Sequence, residues 1–156
     1  MNMKSNQKGF TLIELLAVIV ILAVIALIAT PLVMGVINRA RANAAIDSVY
    51  GYLDSVEQAV AEYQLTTEGM NFNPSGVTFD ISKDSSRSLK VEQNSKTHTI
   101  PVNYNGSAPE SGKFTFDAEG NISTVTGSPI VVNGYSVYVT NGVGSTTAPS
   151  TTTPSN

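Results

Sequence analysis

Cysteine is absent from this 156-residue chain, and histidine occurs once, at His98. Neither a disulfide framework nor a thiolate metal site is therefore open to it, and an exported domain of this kind must be held by packing alone. Charge is sparse as well: 9 Lys and Arg stand against 12 Asp and Glu, for a net charge of −3. Nowhere do the basic residues cluster densely enough to displace counterions from a phosphate backbone, so no direct nucleic-acid binding is expected. The sequence shows no Gly-rich phosphate loop, no nucleophile elbow and no dense oxygen-ligand spacing of the calcium-loop kind. The acid pairs Asp80/Asp84 and Asp117/Glu119 read as turn and surface residues, and His98 as a surface side chain in a strand. The expectation is a protein that is not an enzyme and that carries no metal or cofactor.

What the chain does have is one concentrated apolar run. Leu15 to Ile37 is 23 residues without a charge, about 35 Å of α-helix against a hydrocarbon core of roughly 30 Å. A core helix of a soluble domain would show a polar stripe, and none begins before Asn38. A cleaved secretory signal would need two small residues one apart near the end of the run. Ala17, Ala23, Ala26 and Ala29 never fall two positions apart, and Ala40 and Ala42 flank Arg41 beyond the run. A retained membrane helix remains, with Lys4 and Lys8 holding a short leader in the cytoplasm and the C-terminal part outside, although Arg39 and Arg41 oppose that bias. A carboxylate at mid-depth of such a helix costs on the order of 2.5–3.5 kcal/mol, less near the surface. Glu14, at the start of the run, is therefore a functional candidate.

The string Lys8-Gly9-Phe10-Thr11-Leu12-Ile13-Glu14-Leu15-Leu16 resembles the class III processing motif of type IV pilins and pseudopilins. The resemblance implies cleavage between Gly9 and Phe10 by a prepilin peptidase on the cytoplasmic side, and N-methylation of Phe10 by the same enzyme. It implies that Glu14 serves subunit docking. A freed amine has an unperturbed pKa of about 7.7–8.0 and is mostly cationic at neutral pH, so the Phe10 ammonium of one copy needs the Glu14 carboxylate of another. In a low-dielectric setting that pairing offsets the cost of two isolated charges and fixes the register between helices. Pro31 falls where many members of the family carry a helix proline. It leaves the Leu27 carbonyl without its helical donor, and Gly35 lowers helix propensity one turn later. Residues 27–36 are thus the expected site of a kink or local melting, and related filaments are stretched in this region.

Beyond the run the apolar pattern becomes one-sided. Ile46, Val49, Tyr50, Leu53, Val56, Val60 and Tyr63 recur at three- and four-residue steps, which extends the helix as an amphipathic one to about Thr67, with Gly51 a mild internal weakness. After Gly69 the alternation is that of strands: Val77–Ser82, Thr97–Asn103 with Pro101 suited to an edge, Lys113–Asp117, and Ile122–Thr126. Pro129–Val132, Asn133-Gly134 and Tyr135–Thr140 give a hairpin with a type I′ turn. The expected fold is α+β and pilin-like: leader 1–9, membrane and polymerisation helix 10–37, amphipathic helix 38–68 and a small antiparallel sheet 69–143. A Ser/Thr/Pro tail, 144–156, is expected to be disordered and suits O-glycosylation.

The expected function is structural: a pilus subunit, held by one helix in the cytoplasmic membrane and then assembled on the cell surface for adhesion or motility. The partners implied are other copies of the pilin, the prepilin peptidase, a platform protein and an assembly ATPase. A pseudopilin of a competence or type II secretion system is the alternative within the family, and a membrane-anchored adhesin that never polymerises is the alternative outside it. The Thr/Ser/Pro C-terminus departs from the acidic calcium loop of secretion pseudopilins. The missing cysteines depart from the disulfide-closed loop of Gram-negative pilins, which implies a Gram-positive type.

Overall fold

The structure, a computed structural model, describes residues 9–66, 68–82 and 87–147; the leader residues 1–8, Asp84 and the tail from 148 onward lie outside the described residues. The chain divides into two units, Met1–Ala40 and Arg41–Asn156. A single helix, α1 (Leu12–Gln64, 53 residues), provides the regular structure of the first unit and continues into the second. In the first unit its most apolar 18-residue window is 0% buried, so this stretch is not a core helix of its own fold.

In the second unit α1 buries Ala45, Val49, Tyr52, Leu53, Val56, Ala59, Val60 and Tyr63. This is the expected stripe rotated slightly: Ile46 is only partly buried and packs against the core from its flank, and Tyr50 is half-buried, whereas Tyr52 is fully enclosed. The small Ala45 and Ala59 join the buried face. The helix ends at Gln64, three residues before the expected Thr67. There the Thr66 hydroxyl donates to the Tyr63 carbonyl (2.7 Å) and accepts from the Gly69 amide (3.1 Å), satisfying groups that a helix end leaves bare.

Among the described residues eight strands follow: β1 (Thr78–Ser82), β2 (Ser88–Gln93), β3 (Lys96–Pro101), β4 (Ser111–Phe116), β5 (Ile122–Thr124), β6 (Ile130–Val132), β7 (Tyr135–Thr140) and β8 (Val143–Ser145). They form two sheets, not the single sheet expected. One runs β1-β4-β6-β7-β8 with β5 also on β4, and the other is the β2–β3 hairpin. That hairpin turns on Asn94 and Ser95, both at positive φ (54° and 60°), between the paired Gln93 and Lys96. Strand β2 was not expected from the sequence, since its turn carries Asn-Ser and not Asn-Gly. The β6–β7 hairpin has the expected turn, with Asn133 at φ 50° and Gly134 at φ 78° between the paired Val132 and Tyr135.

Strand β4 is the organiser of the larger sheet. One edge pairs with all of β1, while the other is shared, β6 meeting it at Ser111 and β5 at Phe114–Phe116. Gly112, at φ 147°, makes this sharing feasible, since a Cβ there would sit 2.7 Å from the Ile130 Cα. Register sets Phe79 of β1 opposite Phe114 of β4, stacked at 5.1 Å, and Phe116 meets Phe79 edge-on at 5.3 Å. Such ring pairs add about 0.5–1.5 kcal/mol each beyond the area they bury.

The sheet extends past its expected end at residue 143. Gly144 and Ser145 belong to β8 and pair with Val139 and Tyr138, and the Gly144 amide donates to the Tyr50 hydroxyl at 2.6 Å. Backbone bonds, which composition does not reveal, hold this part of the Thr/Ser-rich segment. A full chain ending at Thr147 should melt in detergent at the same temperature as the intact protein. One ending at Gly142 should lose roughly 1–3 kcal/mol, the worth of a few hydrogen bonds. Equal melting of both truncations would show that β8 holds nothing.

Asp117 is a turn residue, as expected. Its Oδ1 accepts from the amides of Glu119 (3.0 Å) and Asn121 (2.7 Å), and its Oδ2 from the Asn121 side chain (2.9 Å). The Asn121 side-chain amide and then these backbone amides hold the carboxyl below its ordinary pKa, with desolvation working against them. A carboxylate depressed on folding stabilises the fold above its unfolded pKa of about 3.9, and that contribution fades as pH falls through the folded value. Asp117→Ala should therefore melt below wild type at neutral pH, with the gap narrowing under acid. A gap that stays constant with pH would refute this assignment.

Candidate functional site

Gly9, Phe10 and Thr11 precede the first turn of α1 without regular structure, and Phe10 is 87% exposed. The Gly9–Phe10 peptide bond is thus open and non-helical, the state in which a peptidase can bind it. A Cβ built on Gly9 would meet nothing within 4 Å, so the fold itself makes no demand for glycine there.

Thr11 and Glu14 form a capping box. The Thr11 amide and hydroxyl both donate to Glu14 Oε2, at 2.9 and 2.7 Å, and the Glu14 amide donates to the Thr11 hydroxyl at 3.3 Å. The Leu15 amide closes the first helical turn on the Thr11 carbonyl at 3.2 Å. Reciprocal bonding of this kind satisfies amides that a helix start otherwise leaves bare. Both bonds to the carboxylate fall on Oε2, and among the described residues Oε1 receives no donor. The carboxylate is therefore held by one oxygen and open at the other. Only a docking role was expected for Glu14, although its T-x-x-E spacing with Thr11 is a capping signature.

Helix α1 runs through Pro31 and Gly35 without interruption, and a Cβ at Gly35 would meet nothing within 4 Å. Thr30, which the sequence analysis did not single out, donates from its hydroxyl to the Ala26 carbonyl at 2.7 Å. Such back-bonding weakens and bends helices, and it sits beside the Leu27 carbonyl that Pro31 deprives of its donor.

The remaining sequence candidates lie in the second unit. Asp80 is salt-bridged to Lys113 at 2.7 Å on adjacent strands, both side chains about half exposed. His98 is not on the surface: it is 5% exposed, and its Nδ1 lies 3.0 Å from the Tyr63 hydroxyl. Strand alternation puts it on the inward face with Ile100, where Phe72 stacks at a tilt, 4.8 Å away. This pair ties the end of α1 to the β2–β3 hairpin.

Residues 4–30 match the family model of the prokaryotic N-terminal methylation motif, the class III prepilin motif of type IV pilins. The span holds the Gly9–Phe10 bond, the capping box and most of the apolar run; Pro31 falls one residue outside it. No solved structure matches the chain.

The capping box is testable in micelles by amide exchange. Thr11→Val should speed exchange at Leu12–Leu15 by roughly 2- to 30-fold, the range expected for losing a cap, and Thr11→Ser should restore protection. Unchanged exchange in Thr11→Val would remove the capping role.

Proposed function

We propose, for a chain that carries the class III prepilin motif, that it is the structural subunit of a type IV pilus. It is cut between Gly9 and Phe10, methylated on the Phe10 amine and polymerised into an extracellular filament. The observation that supports this most is the bareness of the helix. From Leu12 to Ile37, 18 large apolar side chains are exposed. At roughly 1.5–3 kcal/mol of transfer free energy each, keeping them in water costs tens of kcal/mol. A whole domain is held by only about 5–15 kcal/mol. The surface therefore passes from lipid to other copies of the chain without an intermediate state in water.

The site supplies each step of that passage. Cleavage adds water across the open Gly9–Phe10 bond, leaving a carboxylate on Gly9 and an amine on Phe10. The amine takes up a proton, becomes a cation at the head of an apolar helix, and requires an anion. The free Oε1 of Glu14 on a copy already assembled receives it, while Oε2 stays on the Thr11 cap and holds the carboxylate in place. The prepilin peptidase acts first, and a platform protein and its ATPase then lift each docked subunit out of the membrane.

Glu14→Val should still insert and be cut, because the substitution makes the run more apolar and leaves Gly9 and Phe10 intact. Sheared surface filament should fall to a small fraction of wild type while processed subunit accumulates in the membrane. Glu14→Gln, which keeps the size and loses the charge, should behave nearly as badly, and Glu14→Asp should be intermediate. Mass spectrometry of the surface protein should find Phe10 methylated at the N-terminus. Normal filament yield from Glu14→Val, or a native protein that still begins at Met1, would overturn the reading.

A further inference from the structure

Arg41 opens the second unit, four residues after Ile37 ends the uncharged run. Its helical neighbours three and four positions away are Asn38, Ala44, Ile37 and Ala45, none of them acidic. Among the described residues the one salt bridge is Lys113–Asp80, so Arg41 has no carboxylate partner there. Beside this turn of α1 lies an open cavity of about 600 Å³, walled by Arg41, Ala44 and Ser48 on the helix and by Asn133, Gly134 and Tyr135 at the β6–β7 turn. No acidic residue lines it. The exposed Ala44 leaves it room. Val132 pairs with Tyr135, so the amides of Asn133 and Gly134 at the tip fall outside the ladder, as in any two-residue hairpin. The lining residues thus include a permanent cation, Arg41, and the two turn residues whose amides the ladder leaves unpaired.

The position of this cavity along the chain selects its ligand. Four residues of helix rise about 6 Å, and the headgroup layer on each side of the hydrocarbon core is about 5–7 Å deep. With the apolar run ending at Ile37, Arg41 stands at the level of lipid phosphates. We propose that this cavity binds the phosphodiester of an anionic glycerophospholipid in the outer leaflet while the subunit waits in the membrane. The guanidinium fork matches two phosphate oxygens at once, and the turn donors complete the shell. A zwitterionic headgroup carries its own ammonium, which competes with Arg41, so an anionic headgroup is preferred. The inference rests on the membrane-anchoring part of the proposed function and not on filament formation.

The full chain, reconstituted in phosphatidylcholine bilayers with a minor share of phosphatidylglycerol, is extracted in detergent and weighed with its retained lipid by native mass spectrometry. Retained phosphatidylglycerol should exceed its share of the bilayer. Arg41→Gln should cut that enrichment about tenfold and Arg41→Lys about threefold, since lysine keeps the charge but loses the fork. Ala44→Phe, which puts a phenyl ring into the cavity and leaves every charge in place, should act like Arg41→Gln. Arg39→Gln, which does not line the cavity, should stay within about twofold of wild type, because it alters only diffuse surface attraction. Wild-type enrichment in Arg41→Lys or Ala44→Phe would mean diffuse charge and no site. Displacement by excess inorganic phosphate would mean a soluble-anion site. A filament defect in Arg41→Gln with unchanged lipid retention would mean a contact between copies. Each of these overturns the inference. Insertion is scored separately: a chain that inserts without selectivity refutes the lipid site alone, and one that fails to insert refutes the membrane reading with it.

Discussion

A helix whose apolar side chains find no cover among the described residues constrains the rest of this protein. In lipid an unpaired backbone group costs several kcal/mol, because no water can reach it. The start of α1 is where the demand is sharpest, since a helix leaves its first amides bare. Thr11 and Glu14 meet it reciprocally, and the only charge in the run is thereby fixed at its edge. One carboxylate thus performs a structural task through Oε2 and remains available to a cation through Oε1.

The second unit faces the opposite problem, because it must enclose a core within water. The larger sheet presents Phe79, Ile81, Phe114, Phe116, Ile130, Val132, Val137 and Val139 to one cluster with the buried residues of α1. Each half covers the other. Tyr52 shows how strongly packing dominates there. Among the described residues its buried hydroxyl has no hydrogen-bond partner, and burial pushes the phenol up to about 12. An unsatisfied buried hydroxyl costs about 1–3 kcal/mol. The ring is fully enclosed in the core and meets Tyr104 edge-on at 5.6 Å, while Tyr104 anchors itself by donating to the Ser48 carbonyl at 3.0 Å.

Local chemistry was legible in the sequence where one residue type decides a conformation. Asn133-Gly134 marked its hairpin, and the alternation in Tyr135–Thr140 gave β7 with its observed bounds. The cleavage string and the membrane-length run carried the reading of the first unit. Features set by long-range pairing were not legible. β8 exists because β7 offers it an edge and Tyr50 an acceptor, and nothing in Val143-Gly144-Ser145 announces either. His98 lies between these cases: its alternation with Ile100 was visible, but a polar residue among Thr and Lys was assigned to solvent. The Tyr63 hydroxyl that makes its burial tolerable stands 35 residues away in sequence.

The middle of α1 is built to less demanding standards than its start, and the contrast bears on how a subunit changes surroundings. Pro31 takes the helical donor from the Leu27 carbonyl, the Thr30 hydroxyl goes to Ala26 and not to Leu27, and Gly35 adds backbone freedom one turn on. In lipid an orphan carbonyl is a standing cost, because no solvent competes for it. Under the proposed function the helix leaves lipid, and that cost then falls wherever water or a neighbour's side chain can donate. The capped first turn gains nothing comparable from the move, since its amides are already satisfied. A helix of this design keeps its capped start rigid and places its weakness some four turns further on. Bending or melting there leaves the Glu14 carboxylate undisturbed.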